Sequence, residues 1–182
     1  MARTLDAVLV VDIESTCWKR HPPQGQQSEI IEIGLCLLDV TTGEWRDKRS
    51  ILIKPGGSTV SEFCTLLTSL TQEQVDIGIP FKQACEILIN HYNSRNRVWA
   101  SFGDYDRRMF EYQCQARSIQ YPFGKTHINV KALFALRQRL PKEVGMETAL
   151  EHLNIPLEGR HHRGDDDAWN TAKILAALLF EA

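Results

Sequence analysis

Three acidic patches in the chain have the residue types and spacing to do chemistry. In the run Val10-Val11-Asp12-Ile13-Glu14, two carboxylates bracket one isoleucine. Side chains alternate along a strand, so Asp12 and Glu14 share one face and Ile13 takes the other. Paired carboxylates offer the hard oxygen donors and negative charge that Mg²⁺ and Mn²⁺ need in exchange for lost hydration. Taken alone, a solvated strand end explains the pair equally well.

The second patch is Asp104-Tyr105-Asp106-Arg107-Arg108, at the start of a helical pattern. Capping is the stronger local account here. Asp104 is placed for an N-cap, and Asp106 suits the positive end of the helix dipole. The third patch, over residues 159–167, holds His161, His162 and the triplet Asp165, Asp166 and Asp167 before the last helix. The step from His162 to Asp167 lets a loop histidine face a first-turn carboxylate across a small cleft. With an unperturbed pKa of about 6.5, a histidine there takes a proton from water near neutral pH.

The elements that must position these residues follow from hydrophobic periodicity. Residues 7–11 form a continuous apolar run, a buried strand ending at Asp12. Ile30, Ile31, Ile33, Leu35, Leu37 and Leu38 mark a second strand and residues 45–53 a third, with Thr41, Thr42 and Gly43 supplying the hairpin. A loop at 55–58 precedes short helices at 62–67 and 71–75. The spacing then predicts a helix over 80–92 with Pro80 at its start, a strand over 97–102, and helices over 105–117, 131–140, 147–153 and 168–180, with a short strand at 127–130. An antiparallel meander followed by βα units implies a mixed sheet with helices packed on it.

The chain has 182 residues, 43% of them hydrophobic, which is enough for one full core and short for two domains, so a single domain over 1–182 is expected. No apolar run reaches the roughly 18 residues of a membrane span, and residues 1–6 lack a secretory layout, which points to the cytosol and to no membrane partner. Five cysteines stand singly, without a CxxC pair. That argues against a disulfide framework or a structural zinc site, and all but Cys17 read as small buried hydrophobes. A net charge of −2 does not suit a protein that coats nucleic acid, so any such contact must be local. Basic residues do gather beside the acidic motifs: Lys19, Arg20 and His21; Arg107 and Arg108; Arg160 and Arg163.

The order and spacing of the three motifs together resemble the DEDDh branch of the DnaQ-like 3′–5′ exonucleases. Within it, Asp12-Ile-Glu14-Ser-Thr16-Cys17-Trp18, Glu29-Ile-Ile-Glu-Ile, Phe63-Cys64 before Leu67-Thr68, and 159–168 are similar to the Eri and KapD group, over nearly the whole chain. The resemblance implies an RNase H-like fold, with a mixed five-stranded sheet flanked by helices. It implies two divalent ions, Mg²⁺ or Mn²⁺, held by Asp12, Glu14, Asp106 and Asp167, with His162 as general base. Asp106 is preferred to Asp104 because it follows an aromatic residue, and Asp167 to Asp166 by its distance from His162. His161 need not act.

The reaction implied is hydrolysis of the terminal phosphodiester at a free 3′ end, releasing 5′-mononucleotides, with single-stranded RNA as the substrate class. DNA trimming, an oligoribonuclease-like duty and a non-catalytic binding module of the same fold are the rivals. Backbone near Ser15 and Thr16 is expected at the terminal sugar. Arg107, Arg163 and the neighbouring cations are expected at phosphates. Trp18 is assigned to packing ahead of base stacking. Two departures stand out: Ser69 replaces a usual glycine, and Trp169 a usual polar residue. Four clustered carboxylates repel one another without cations, so chelation is expected to abolish activity.

Overall fold

Val8, Val10 and Val11, with Leu9, suit a strand covered on both faces, and they form the middle of β1 (Thr4–Ser15) in the computed structural model, which describes residues 4–180. The strand does not stop at Asp12. Ladder partners on β2 (Ile30–Asp39) carry it on through the pairs Asp12 with Gly34, Ile13 with Ile33 and Glu14 with Glu32. β3 (Trp45–Lys54) completes the antiparallel meander. Its hairpin is closed by the Asp39 carboxylate, which accepts the N–H groups of Thr41 and Thr42 at 2.8 and 3.0 Å.

The chain continues through α1 (Glu62–Thr68), α2 (Gln72–Asp76), β4 (Ile79–Pro80), α3 (Phe81–Asn90), β5 (Arg97–Ser101) and α4 (Tyr105–Ala116). It ends through β6 (His127–Asn129), α5 (Val130–Arg137), α6 (Met146–His152) and α7 (Gly164–Phe180). The sheet order is β4-β3-β2-β1-β5-β6, with β5 parallel to β1 and β6 parallel to β5. Six strands replace the expected five. The extra one, β4, is two residues long and pairs with the end of β3, which is too short to show a period. Its Pro80 is tolerated because the strand lies at the sheet edge.

Alternation along β1 sorts the core into two layers. Leu9, Val11 and Ile13 face α3 and α4, packing with Phe81, Leu88 and Phe110. Val8 and Val10 face α5, α6 and α7, packing with Phe134, Ala149 and Leu175. Asp12 and Glu14 continue the register of Val8 and Val10, so β1 delivers both carboxylates to the α7 side.

α7 begins at Gly164, four residues before the apolar stripe that marks it in the sequence. Its first turn is polar and so silent in a hydrophobic period, but three aspartates suit the positive end of a helix dipole. Cys36, Cys64, Cys85 and Cys114 are buried, while Cys17 is partly exposed. Among the described residues no helix is long and apolar enough to cross a membrane. The single-domain expectation takes in residues 1–3 and 181–182, which lie outside the described residues.

Candidate active site

The end of β1 and the first turn of α7 meet at a cleft of about 350 Å³. Asp12 and Glu14 from the strand and Asp167 from the helix each bring a carboxylate oxygen to it, all within 4.8 Å of one another. Burial, then the charges of Asp106 and Asp167, hold Asp12 far above the usual carboxylate range. Glu14 is pushed up to about 9, first by burial and then by Asp167 and Glu32. Without a cation, the cluster relieves its own repulsion by retaining protons. A hard divalent ion relieves the same repulsion while accepting oxygen donors, so the donor set fits Mg²⁺ or Mn²⁺.

Asp106 enters the cleft from the first turn of α4. It is buried, and its Oδ1 accepts the Ile13 N–H at 2.9 Å, which ties the helix to the strand carrying Asp12. Burial raises it to about 6 against the opposing pull of that hydrogen bond. Asp104 takes the N-cap position of α4 but makes no side-chain cap bond. It pairs instead with Arg107 at 3.2 Å and lies outside the cleft. The structure thus separates the two local competitors.

Both adjacent histidines line the cleft, and His161 makes the direct contact that the sequence did not lead us to expect. Its Nδ1 lies 3.0 Å from each oxygen of Asp167. His162 has a left-handed backbone, φ 65°, and donates its N–H to Asp167 Oδ2 at 2.9 Å. Its ring stacks on that of His161, with centroids 4.0 Å apart. The Asp167 bond raises the pKa of His161, whereas burial and then the neighbouring His161 lower that of His162. The two shifts run in opposite directions, and the downward one favours the uncharged form of the His162 ring.

The loop carrying these histidines is pinned at both ends. Glu32, fully buried on β2, receives the Arg163 guanidinium at 2.8 Å and the Gly164 N–H at 2.9 Å. Asp166 accepts the Arg160 N–H at 2.7 Å and the Lys48 ammonium. Arg163, expected at a phosphate, is therefore committed to Glu32. A lone glutamate inside an apolar strand carries no sequence signal of such a partner.

Other expected contacts also move. Thr16 is buried: its N–H donates to the Glu29 carbonyl at 2.9 Å, and its Oγ1 accepts the Glu29 N–H at 3.0 Å and donates to the Gln27 carbonyl at 3.4 Å, so it closes a loop and leaves no donor for a sugar. Ser15 does line the cleft, with its hydroxyl 2.7 Å from that of Tyr105. Arg107 is engaged by Asp104 and by Glu111 and faces a different hollow. The cation that does line the cleft is Lys131, which the sequence reading passed over because no acidic motif adjoins it. Trp18 is partly exposed and belongs to none of the apolar clusters formed by the described residues, so packing does not claim it.

Ser69 sits at the C-cap of α1 with φ 62°, the left-handed geometry that favours glycine. Trp169 bonds Glu158 at 2.9 Å and packs edge-on against Trp45, outside the cleft lining.

Known proteins are similar to this chain in sequence and in fold. The profile of the exonuclease family, RNase_T, matches residues 9–175. The chain is 32% identical to human ERI1 exoribonuclease 2 over 96% of its own length and 28% of the relative's. It is 31% identical to human 3′-5′ exoribonuclease 1, over 96% of the chain and 52% of that protein. It thus spans between about a quarter and a half of the length of these curated relatives. Among solved structures it is similar to the nuclease domain of 3′hExo, a DEDDh family member bound to rAMP. That match has a TM-score of 0.87 and 29% identity, covering 98% of this chain and 94% of the other.

Proposed function

The chain belongs to the exonuclease family, and on that premise we propose that it hydrolyses RNA from a free 3′ end, releasing 5′-mononucleotides. The observation that carries this reading is the meeting of Asp12, Glu14 and Asp167 oxygens within 4.8 Å, beside Asp106 and two imidazoles, in one cleft. Dependence on divalent metal comes with the family. We assign two ions of the Mg²⁺ or Mn²⁺ type to Asp12, Glu14, Asp106 and Asp167. When bound, such ions supply positive charge against the phosphate and acidify the attacking water.

The chain's own residues do the rest. His162, whose uncharged form is favoured, accepts the proton of that water on its ring nitrogen. Asp106 couples α4 to β1 through the Ile13 N–H, so the two carboxylate-bearing elements move as one. Ser15 and Tyr105, hydrogen-bonded to each other on the cleft wall, are placed for the terminal sugar. Lys131, which lines the cleft and pairs only loosely with Glu143 at 3.9 Å, supplies the positive charge that an acidic cleft needs to hold a phosphate.

RNA is favoured because the similar human proteins are named exoribonucleases and the similar nuclease domain was solved with rAMP. The test is matched 5′-labelled single strands of RNA and DNA, each with a free 3′ hydroxyl, incubated with Mg²⁺ or Mn²⁺. A ladder shortening from the 3′ end, with 5′-mononucleotides released faster from RNA, is expected. Faster loss of DNA overturns the substrate assignment, and retention of every substrate intact overturns the enzymatic one.

A further inference from the structure

The two histidines and Asp167 form a donor set of different chemistry from the carboxylates beside them. One ligand atom from each of His161, His162 and Asp167 lies within 4.8 Å of the other two. We propose that these three residues form a site for a borderline transition-metal ion, Zn²⁺ foremost, distinct in ligand type from the carboxylate site and sharing Asp167 with it.

His161 and Asp167 already stand close to the geometry of two ligands around one small ion. Two donors about 2.0–2.1 Å from a tetrahedral Zn²⁺ stand roughly 3.3 Å apart. His161 Nδ1 and the Asp167 oxygens are already 3.0 Å apart, so an ion in place of their shared proton requires little movement. The His162 ring stacks on that of His161 with planes 22° apart, so it must turn off the stack to bring its nitrogen onto the same ion. Three protein ligands would leave a fourth position open.

The backbone that carries the ligands is also held in place. Glu32 fixes Arg163 and Gly164 on one side of the histidines, and Asp166 fixes Arg160 on the other. The His162 N–H anchors Asp167 Oδ2 itself. Imidazole nitrogen suits Zn²⁺, Co²⁺ and Ni²⁺, whereas Mg²⁺ keeps to oxygen, so the paired histidines separate the two classes of ion by chemistry. An ion seated here takes both imidazoles and one shared carboxylate out of the hard-ion site. Binding to the free protein does not depend on the nuclease reading, so the two stand or fall separately.

The test titrates Zn²⁺ into the metal-free full chain against a chromophoric chelator, with Co²⁺ visible absorption as a second readout of nitrogen ligation. Loss of a group that merely orients a metal ligand costs about 10–100-fold in affinity. His161→Ala is therefore expected to weaken Zn²⁺ binding by about tenfold or more and to dim the Co²⁺ band. Asp12→Asn and Cys17→Ser are expected to keep tight Zn²⁺ binding. Wild-type protein that fails to bind Zn²⁺, or His161→Ala that binds it as tightly as wild type, overturns the site. So does loss of binding in Asp12→Asn, which assigns the ion to the carboxylates, or in Cys17→Ser, which assigns it to the half-exposed thiol in the cleft.

Discussion

Gly34 on β2 and Gly164 at the start of α7 approach so closely that a methyl group on Gly34 would lie 1.7 Å from the Gly164 carbonyl carbon. Gly34 pairs with Asp12 across the ladder, and Gly164 lies three residues before Asp167. This contact therefore sets how near the helix comes to the strand, and with it the distance between the carboxylates on each. Gly34→Ala is expected to push the first turn of α7 away from the sheet. Overpacking of this kind costs about 1–3 kcal/mol. Thermal unfolding should show that loss, and the Mn²⁺-induced rise in melting temperature should shrink with it.

Asp12→Asn separates a metal ligand from a solvated strand end. It keeps the shape of the side chain and removes one charge from a repelling cluster, so the metal-free variant should melt no lower than wild type. Hydrolysis should fall by more than about a hundredfold. Near-normal activity would return Asp12 to the role of a surface carboxylate.

The raised Glu14 makes stability depend on pH in the metal-free protein. Its folded pKa of about 9 lies above its ordinary value of 4.5, so the folded state binds more protons between those limits. Stability is then present at low pH and lost as pH rises through that window. Melting temperature without metal should drop from pH 5 to pH 8, and the drop should be smaller in Glu14→Gln. Added Mg²⁺ should restore more stability at pH 8 than at pH 5, because protons compete with the ion.

Arg163 tests whether a cation near the site serves the fold or the substrate. Removing one partner of a buried ion pair costs about 3–5 kcal/mol, because the other charge stays uncompensated. Glu32 is fully buried while the Arg163 side chain is 27% exposed, so Arg163→Ala should cost more than Glu32→Gln. The double variant should recover part of that loss. A phosphate-binding role alone would instead raise KM and leave the melting temperature unmoved.

His162→Ala should slow the chemical step by about 10²–10⁴-fold, the range for a lost general base. Metal binding by the carboxylates, read as the Mg²⁺-induced thermal shift, should survive. A collapse of that shift would make His162 a support for the hard-ion site and not its base.

Local periodicity determined much of this protein. Alternation about Ile13 was enough to place Asp12 and Glu14 on one face, and the step from His162 to Asp167 was enough to bring a loop histidine near a helix carboxylate. Both depend on the fixed repeats of strand and helix, which a sequence carries within a few residues. The tertiary structure decided which partner each polar group took. Arg163 went to a glutamate 131 residues away, and Lys131 reached the cleft from a helix with no acidic motif. It also put His161, ahead of its neighbour, in contact with Asp167. The pairing of Arg163 with Glu32 depends on how near α7 comes to β2, where Gly34 meets Gly164, and no period in the chain encodes a distance between elements so far apart in sequence.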